Sequence, residues 1–168
     1  MDTSEAIRTR RSVRRFRPDP VPPAAVTALL DAARWAPSGL NNQPWRFVIV
    51  ESPDMRERLA ACTKYGRVLR SAPVAVAVFL NTETSYHREK DIQAIGAAIQ
   101  NLLLEAHSRG LGACWLGEIL RRRREVEAAL EVPPELELMA VVAVGYPEPG
   151  AHGSPNRLPL EDLIVERR

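Results

Sequence analysis

Two apolar segments constrain the fold more than any other feature of this sequence. Residues 72–81 read APVAVAVFLN and residues 136–147 read LELMAVVAVGYP, and the central part of each is apolar at every position. A strand without alternation between apolar and polar side chains is buried on both faces. Since both faces of a sheet are buried only when other layers cover them, these strands predict the centre of a layered domain.

Helical patterns surround these two strands. The longest, DIQAIGAAIQNLLLEAHSRGLG at residues 91–112, is apolar almost all round, which is typical of a central helix with two buried faces. Its small residues Gly96, Ala97 and Ala98 allow a second helix to approach closely. That helix belongs either to the same subunit or to another one, and the sequence leaves both alternatives open.

The other predicted elements are shorter. Thr3 or Ser4 is predicted to cap a first helix that runs into an arginine-rich stretch. Further helices are predicted at residues 22–36, 55–62 and 124–132, and further strands at residues 45–51 and 113–117. This order predicts one α+β domain with a three-layer α/β/α arrangement over residues 1–168.

The composition is that of an ordinary folded domain, with 45% hydrophobic and 26% charged residues. No apolar run approaches the roughly 20 residues of a membrane helix, and no apolar signal-peptide core is present, so we expect a cytoplasmic protein that makes no membrane contact. The cysteines and histidines are isolated from one another, which predicts neither a metal site nor a Ser-His-Asp triad. They are Cys62, Cys114, His87, His107 and His152.

A dense cluster of positive charge lies near the start of the chain. The stretch RRSVRRFR at residues 10–17 holds five arginines, although the formal net charge of the whole chain is only +2. The nearest acidic residues, Asp2, Glu5 and Asp19, are too few to neutralise this cluster within a Debye length. The cluster therefore predicts an anionic partner, which is a nucleic acid, an anionic membrane, a targeting receptor or the phosphate of a small cofactor.

Nucleic acid is the first alternative, because Phe16 lies among the arginines and a second basic run, RRRR, occupies residues 121–124. The nearly balanced charge, the 5% aromatic content and the absence of a nucleic-acid-binding motif argue against it. We interpret the second run as the solvated start of a helix, offset by Glu118, Glu125 and Glu127.

A dinucleotide-binding fold is the second alternative, since GLGACWLG at residues 110–117 carries three glycines. In a Rossmann motif the glycines follow a strand and open a helix, so that a phosphate meets the helix N-terminus. Here the glycines close a helix and open a strand. We therefore interpret Gly110 and Gly112 as a helix C-cap.

The third alternative is a phosphate monoester held by arginines, with the rest of a cofactor lying along other loops. APSGLNNQPW at residues 36–45 crowds hydroxyl and amide side chains together, which suits a polar, uncharged ligand such as a polyol chain or a pyrimidine edge. A loop whose side chains cap its own backbone has the same composition, so both interpretations stay open at this point.

Five stretches together resemble the nitroreductase family of flavin mononucleotide (FMN) enzymes, and the resemblance covers almost the whole chain. Each stretch is weak alone, but their order and spacing are specific. They are TRRSVRRF at 9–16, APSGLNNQPWRF at 36–47, IGAAIQNLLLEAHSRGLGACWLG at 95–117, VVAVGYPE at 141–148 and NRLPLED at 156–162. The resemblance implies a nitroreductase-like FMN-binding fold, an intertwined homodimer, and a short member without the insertions that cover the site in other members.

The resemblance also implies roles for individual residues. Arg10, Arg11 and Ser12 match the element that grips the FMN phosphate and ribityl chain, and Arg157 matches a further phosphate contact. Arginine side chains suit this task because they bind phosphate oxygens in a bidentate manner. Arg14 matches the cation beside the flavin pyrimidine, which stabilises the anionic reduced flavin.

A second subunit is implied to complete the site. The residues that match the flavin-contacting loop of the partner subunit are Pro37, Ser38, Gly39, Asn41 and Gln43. Helix 91–109 is expected at the dimer interface, and the C-terminal tail is expected to wrap around the other subunit. Trp115 and Leu116 match one wall of the flavin site, and the backbone N–H groups of Gly117 and Glu118 match positions near flavin N5, which carries the chemistry.

Some positions depart from the family pattern or align loosely with it. Pro155 stands where some relatives have a phosphate-contacting lysine. Lys64, Arg67 and the loop at residues 82–90 are candidates for contacts above the open flavin face. Two arginines match no ligand position and are expected at the surface or in salt bridges: Arg15 and Arg17.

The activity that the resemblance implies is a two-electron, ping-pong transfer from NADH or NADPH to a small acceptor such as a nitroaromatic or a quinone. Because the flavin carries the chemistry, no catalytic side chain is expected. The alternative function is a flavin-binding protein of the same fold that senses, stores or degrades flavin.

Overall fold

The computed structural model describes residues 1–168. Its helices are α1 (Thr3–Thr9), α2 (Pro23–Arg34), α3 (Pro53–Ala60), α4 (Gly66–Ser71), α5 (Arg88–Ser108) and α6 (Arg123–Ala129). Its strands are β1 (Trp45–Val50), β2 (Val74–Asn81), β3 (Gly112–Leu116) and β4 (Leu136–Gly145). Short 3-10 turns lie at Gly39–Asn41, Glu118–Arg122 and Leu160–Leu163. None of the helices has the length and apolarity that crossing a membrane requires.

The two apolar segments form the centre of the sheet, as predicted. The strands lie in the order β1-β2-β4-β3, and each neighbouring pair is antiparallel. β2 is buried along its whole length, and β4 is buried from Leu138 onwards. Their β-branched and small apolar residues therefore fill both sides of the sheet at its middle.

Helices cover both faces of the sheet and complete the three layers. On one face, α2 and α5 pack on side chains that include Val76 and Val142. On the opposite face, α3, α4 and α6 pack on side chains that include Ala77 and Val141. Neighbouring strand residues thus enter opposite cores, because side chains alternate across a strand. The α+β, three-layer prediction is confirmed.

The small residues in the middle of α5 differ in burial. Ala98 is fully buried in the core that α5 shares with α2. Gly96 and Ala97 are only half-buried, and Ile92 beside them is exposed. Packing within the chain therefore uses one side of this small-residue stretch, while the other side is open to a further neighbour.

Two helix predictions need correction, and one helix was missed. The cap of α1 is Asp2, whose carboxylate accepts a hydrogen bond from the Glu5 backbone N–H over 2.9 Å, and not Thr3 or Ser4. The helix α4 was not predicted, because GRVLRS is too short to show a period. The start of α5 lies at Arg88, before the predicted residue 91.

The two glycines between α5 and β3 have different roles. Gly110 has φ +73° just after the α5 C-cap, so it is the expected C-cap glycine. Glycine is needed at position 112 for a different reason, because a Cβ there would lie 2.7 Å from Val13 side-chain atoms. The predicted C-cap role of Gly112 is therefore wrong, and this glycine lets residues near Val13 approach β3 closely.

Candidate functional site

The arginine-rich segment leaves α1 at Thr9 and runs beside β3. Ser12 bridges Ala113, and the Val13 backbone N–H donates to the Ala113 carbonyl oxygen over 3.0 Å. Val13 and Phe16 are anchored in the core, with exposed fractions of 2% and 3%. This anchoring leaves the arginines of the segment partly or fully accessible to solvent.

Two of the five arginines in this segment are paired with carboxylates. Arg15 pairs with Glu148 at 3.1 Å, and Arg17 pairs with Asp19 at 3.3 Å. Both were expected at the surface or in salt bridges, and this expectation is confirmed.

The other three arginines, Arg10, Arg11 and Arg14, have no carboxylate partner. Arg11 donates to the backbone carbonyl oxygens of Arg8 and Arg10 over 2.8 and 2.9 Å, which leaves its charge uncompensated. Burial, followed by the nearby charges of Arg157 and Arg11, lowers the pKa of the Arg10 guanidinium. The structure therefore gathers like charges around Arg10, an arrangement that an anion would stabilise.

Arg157 reaches this cluster from the C-terminal segment. Its guanidinium donates only to the carbonyl oxygen of Asn156, over 2.7 Å. Pro155 lies in the same exposed segment and offers no cation. On α5, His107 Nε2 lies 2.7 Å from the Thr9 hydroxyl oxygen. Burial, followed by the charge of Arg10, lowers the pKa of His107.

A cavity of about 230 Å³ lies beside β3. Its lining residues are Arg14, Tyr65, Val68, Cys114, Trp115, Leu116, Gly117 and Glu118. Trp115 is 42% exposed, so its indole forms an accessible flat wall, whereas Leu116 is buried. Burial raises the pKa of the Cys114 thiol, which keeps it neutral. The predicted site residues on β3 and Arg14 are thus brought together.

Glu118 ties the segment after α3 to this cavity. Its Oε2 accepts hydrogen bonds from the Thr63 hydroxyl over 2.6 Å and from the Lys64 backbone N–H over 3.2 Å. The Thr63 hydrogen bond is the main cause that lowers the pKa of Glu118. The Lys64 ammonium lies 5.1 Å from the Tyr65 ring centroid. Arg67 is exposed on α4 and does not line the cavity.

The loop at residues 37–43 has an unusual backbone. Leu40, Asn41 and Gln43 have φ values of 53°, 53° and 47°, in the left-handed region that residues with side chains rarely adopt. The Gln43 backbone N–H donates to the Ser38 hydroxyl over 3.1 Å, and the Gln43 amide donates to the Asn41 carbonyl oxygen over 3.2 Å. The loop therefore caps part of its own backbone, as one of the two interpretations held.

A second cavity, of about 330 Å³, lies between this loop and α5. Its lining residues are Pro37, Ser38, Gly39, Tyr86, Lys90, Gln93, Ala94 and Ala97. It shares no lining residue with the cavity beside β3. Within one chain, the predicted site residues therefore form two groups, one around the arginine segment and β3 and one on the loop at residues 37–43.

Sequence reasoning missed one residue beside this loop, the carboxylate of Asp91. Asp91 is fully buried and accepts a hydrogen bond from the Asn42 amide over 2.8 Å. Tyr86 packs so closely on Gly39 that a Cβ there would lie 1.8 Å from the tyrosine hydroxyl oxygen. The only sequence signal for Asp91 was its position at the start of the predicted apolar helix, and an acidic residue is common at a helix start. The structure contains no group of three or more His, Cys, Asp or Glu residues that could hold a metal ion.

Comparison with known proteins finds relatives that match almost the whole chain. A curated protein of Methanothermobacter thermautotrophicus, named "Putative NADH dehydrogenase/NAD(P)H nitroreductase", is 35% identical, over 96% of this chain and 87% of its own length. The "NADH dehydrogenase" of Thermus thermophilus is 32% identical, over 99% of this chain and 97% of its own. A crystal structure of a "putative nitroreductase in complex with fmn" from Desulfovibrio desulfuricans has a TM-score of 0.93 and 44% identity, and the match covers 100% of this chain and 98% of that one.

The family model of the nitroreductase family matches residues 7–64 and 60–146, which span most of the chain. This match includes the arginine segment, the loop at residues 37–43 and β3. The three-layer fold and the order of these elements agree with it. The chain therefore belongs to the nitroreductase family.

Proposed function

We propose that this protein is an FMN-dependent oxidoreductase that passes electrons from NADH or NADPH to a small acceptor such as a nitroaromatic or a quinone. The names of the relatives support the donor class, and the relative crystallised with FMN supports the cofactor. One observation on this chain carries the proposal furthest. Three arginines without carboxylate partners lie in one short segment, and one of them lines a cavity with an aromatic wall.

The residues at this place fit FMN in charge and in chemical character. A phosphate monoester carries about 1.5 to 2 negative charges at neutral pH, and Arg10, Arg11 and Arg157 offer it cations whose mutual repulsion the phosphate would relieve. Farther along, Arg14 and Trp115 line the cavity beside β3. A cation and a flat aromatic surface suit the polar edge and the planar ring of a flavin.

Each residue then has a physical role in the proposed reaction. Arg10, Arg11 and Ser12 hold the phosphate end, which fixes the ligand along β3. Arg14 would place positive charge beside the pyrimidine edge of bound flavin, where it would favour the uptake of electrons. Bound flavin supplies the two-electron chemistry, which is why the site needs no acid–base pair.

The cavity wall beside β3 determines from which side small molecules reach the flavin. With flavin bound, Trp115 and Leu116 would cover one side of it and exclude water, and the backbone N–H groups of Gly117 and Glu118 would face its reactive edge. The opposite side stays open, so that the donor binds first and leaves before the acceptor takes its place. Donor and acceptor thus use the same open side one after the other, which is a ping-pong mechanism.

We further propose a homodimer in which the loop at residues 37–43 of one subunit completes the flavin site of the other. The cavity beside β3, at about 230 Å³, is smaller than the roughly 300–1,000 Å³ of typical small-molecule sites. Large apolar side chains also lie exposed on this chain, as expected of a surface that a partner covers. They include Trp35, Leu40, Leu158, Leu160, Leu163 and Val165.

The first experiment is an absorbance spectrum of the purified protein, reconstituted with FMN if it is colourless. NADH and then NADPH are added without oxygen, and a nitroaromatic or a quinone follows. We expect flavin bands that bleach with a donor and recover with the acceptor. Size-exclusion chromatography with light scattering gives the mass, which we expect to be twice that of the chain.

Two outcomes contradict parts of this proposal. Flavin that binds but stays oxidised with both donors favours the alternative function, a flavin-binding protein that senses, stores or degrades flavin. Failure to bind FMN at all would mean that the arginine segment holds another anion.

A further inference from the structure

Asp91 is the only buried carboxylate of the chain. Its Oδ1 accepts from the Asn42 amide over 2.8 Å, and its Oδ2 accepts from the Ser85 hydroxyl over 2.6 Å and from the backbone N–H groups of Tyr86 and His87 over 3.1 and 3.3 Å. Burial raises the pKa of Asp91, but these hydrogen bonds together lower it by more. Asp91 is therefore a charged group inside the protein, and such a group is tolerated only when it is fully paired.

This carboxylate joins two segments that are distant in sequence. Asn42 belongs to the loop at residues 37–43, whereas the other three donors belong to the connection between β2 and α5. The Asn42 amide nitrogen also donates to the Thr84 carbonyl oxygen over 3.1 Å. Asn42 Oδ1 is buried without a partner, so this side chain is held through its NH₂ group alone.

The hydrogen bond to Asp91 acts at the middle of the strained part of the loop. Asn42 has an ordinary right-handed backbone, while Leu40, Asn41 and Gln43 around it are left-handed. Left-handed residues that carry side chains persist only where their surroundings over-determine the backbone. Asn42 supplies such a restraint, because Asp91 fixes it from inside the protein.

Tyr86 supports the same loop from the outside. Its ring packs on Gly39, where no larger residue fits without displacing it. Its backbone N–H is one of the donors that Asp91 holds. The Lys90 ammonium lies 5.3 Å from the centroid of the same ring. One carboxylate thus positions both the loop and the side chain that packs on it.

We propose that Asp91 is a positioning residue for the cofactor site: it holds the loop at residues 37–43 against Tyr86 in the shape that completes the flavin site of the partner subunit. This inference rests on the proposed function. Asp91 touches no ligand and acts through Asn42 and Tyr86. Its substitution is therefore expected to weaken FMN binding through the shape of the loop.

The test compares Asp91→Asn and Asn42→Ala with Ser85→Ala as a matched control. Ser85→Ala also removes one hydrogen bond to Asp91 but leaves the loop contact in place. For each dimeric variant, the FMN dissociation constant is measured by flavin fluorescence, and amide hydrogen exchange of residues 37–43 is measured without cofactor. We expect Asp91→Asn and Asn42→Ala to raise the dissociation constant roughly tenfold and to speed exchange in the loop. Ser85→Ala is expected to lower the melting temperature, because it leaves Asp91 under-paired, but to change the FMN dissociation constant by no more than about twofold, because the Asn42 contact remains.

The double variant separates positioning from a general loss of stability. If Asp91 acts through Asn42, the double variant Asp91→Asn/Asn42→Ala weakens FMN binding by less than the sum of the two single effects. Unchanged FMN binding in both single variants, with lower melting temperatures, overturns the inference. If Asp91→Asn does not fold, Asn42→Ala decides alone. A wild-type protein that binds no FMN refutes the proposed function, while hydrogen exchange still tests the contact between Asp91 and the loop.

Discussion

The chain carries two arginine-rich segments that differ in their partners. In the first, residues 10–17, three of the five arginines have no carboxylate partner. In the second, residues 121–124, each arginine has one. The pairs are Arg121–Glu118, Arg122–Glu125, Arg123–Glu137 and Arg124–Glu127. The interpretation of the second run as a helix start offset by glutamates is confirmed. The two segments are similarly rich in arginine, and they differ in how many of those arginines lack a carboxylate partner.

Local geometry explains this difference. The second segment is helical, and in a helix residues three positions apart lie side by side, so that nearby glutamates reach the arginines. The first segment is extended, with Ser12 bridged to Ala113 of β3 and with Val13 and Phe16 buried, and no carboxylate forms an ion pair with Arg10, Arg11 or Arg14. The first segment therefore keeps uncompensated positive charge, whereas the second segment does not.

The largest expected effect comes from removing Arg10 together with Arg157, the cation of the C-terminal segment that lies near it. Arg10→Ala together with Arg157→Ala should raise the FMN dissociation constant by about 100-fold or more, since each charged hydrogen bond contributes roughly 1.5–3 kcal/mol. Fluorescence titration measures the binding, and circular dichroism checks the fold. Arg122→Ala with Arg124→Ala removes the same charge and should leave binding unchanged. Stoichiometric flavin in the first double variant would refute the phosphate role.

A smaller effect is expected from Arg14→Gln. This variant should still bind FMN, because the phosphate contacts are intact, but its flavin should be harder to reduce. Loss of one charged hydrogen bond, about 1.5–3 kcal/mol, corresponds to a two-electron potential lower by about 30–60 mV. A redox titration against a reference dye measures this shift. An unchanged potential would place Arg14 away from the pyrimidine edge.

The charge of Arg10 should also contribute to the titration of His107. The pKa of His107 lies below its ordinary value of 6.5 because of burial and then the charge of Arg10. Because the unfolded chain binds a proton that the folded protein refuses, the free energy of unfolding should fall as the pH drops below about 6.5. Arg10→Ala should raise this pKa and reduce the pH dependence.

NMR titration of the histidine side chains measures this effect, with His107→Gln to assign the signal. Arg122→Ala is the matched control and should not change the titration. Equal His107 pKa values in wild type and Arg10→Ala would show that Arg10 does not act on this histidine.

The smallest effect is expected in the second segment. The Arg124 side chain is 90% exposed, so Arg124→Ala should change the free energy of unfolding by less than about 0.5 kcal/mol. Arg123→Ala should change it more, because Arg123 is 29% exposed and pairs with Glu137, which also pairs with Arg88. Urea unfolding of both variants measures the difference. A larger effect for Arg124→Ala would contradict this ranking.

Much of the fold was predictable from the sequence because it depends on local patterns. The apolar segments at residues 72–81 and 136–147 gave the central strands, and the all-round apolar pattern from residue 91 gave the central helix. Gly112 could not be interpreted correctly, because the reason for glycine there is Val13, about a hundred residues earlier. A single-sequence pattern carries no information on such contacts.

The candidate site was predictable to a different extent. The family resemblance supplied its ligand positions, and the structure adds which of the arginines lack carboxylates. Asp91 was not predictable, because its burial depends on donors from Asn42 and Ser85 that meet only in the folded chain. A buried polar residue whose partners come from distant segments has no local pattern, and this is why Asp91 was missed.

The segment that carries Arg10, Arg11 and Arg14 also protects an edge of the sheet. β3 pairs with β4 on one side, and on its other side the Ala113 carbonyl oxygen is occupied by the Val13 backbone N–H. Unpaired strand edges recruit strands from other chains and lead to aggregation. A chain shortened past Phe16 would therefore lose solubility as well as its cations, so that a truncation is unsuited to studying the arginines and point substitutions are required.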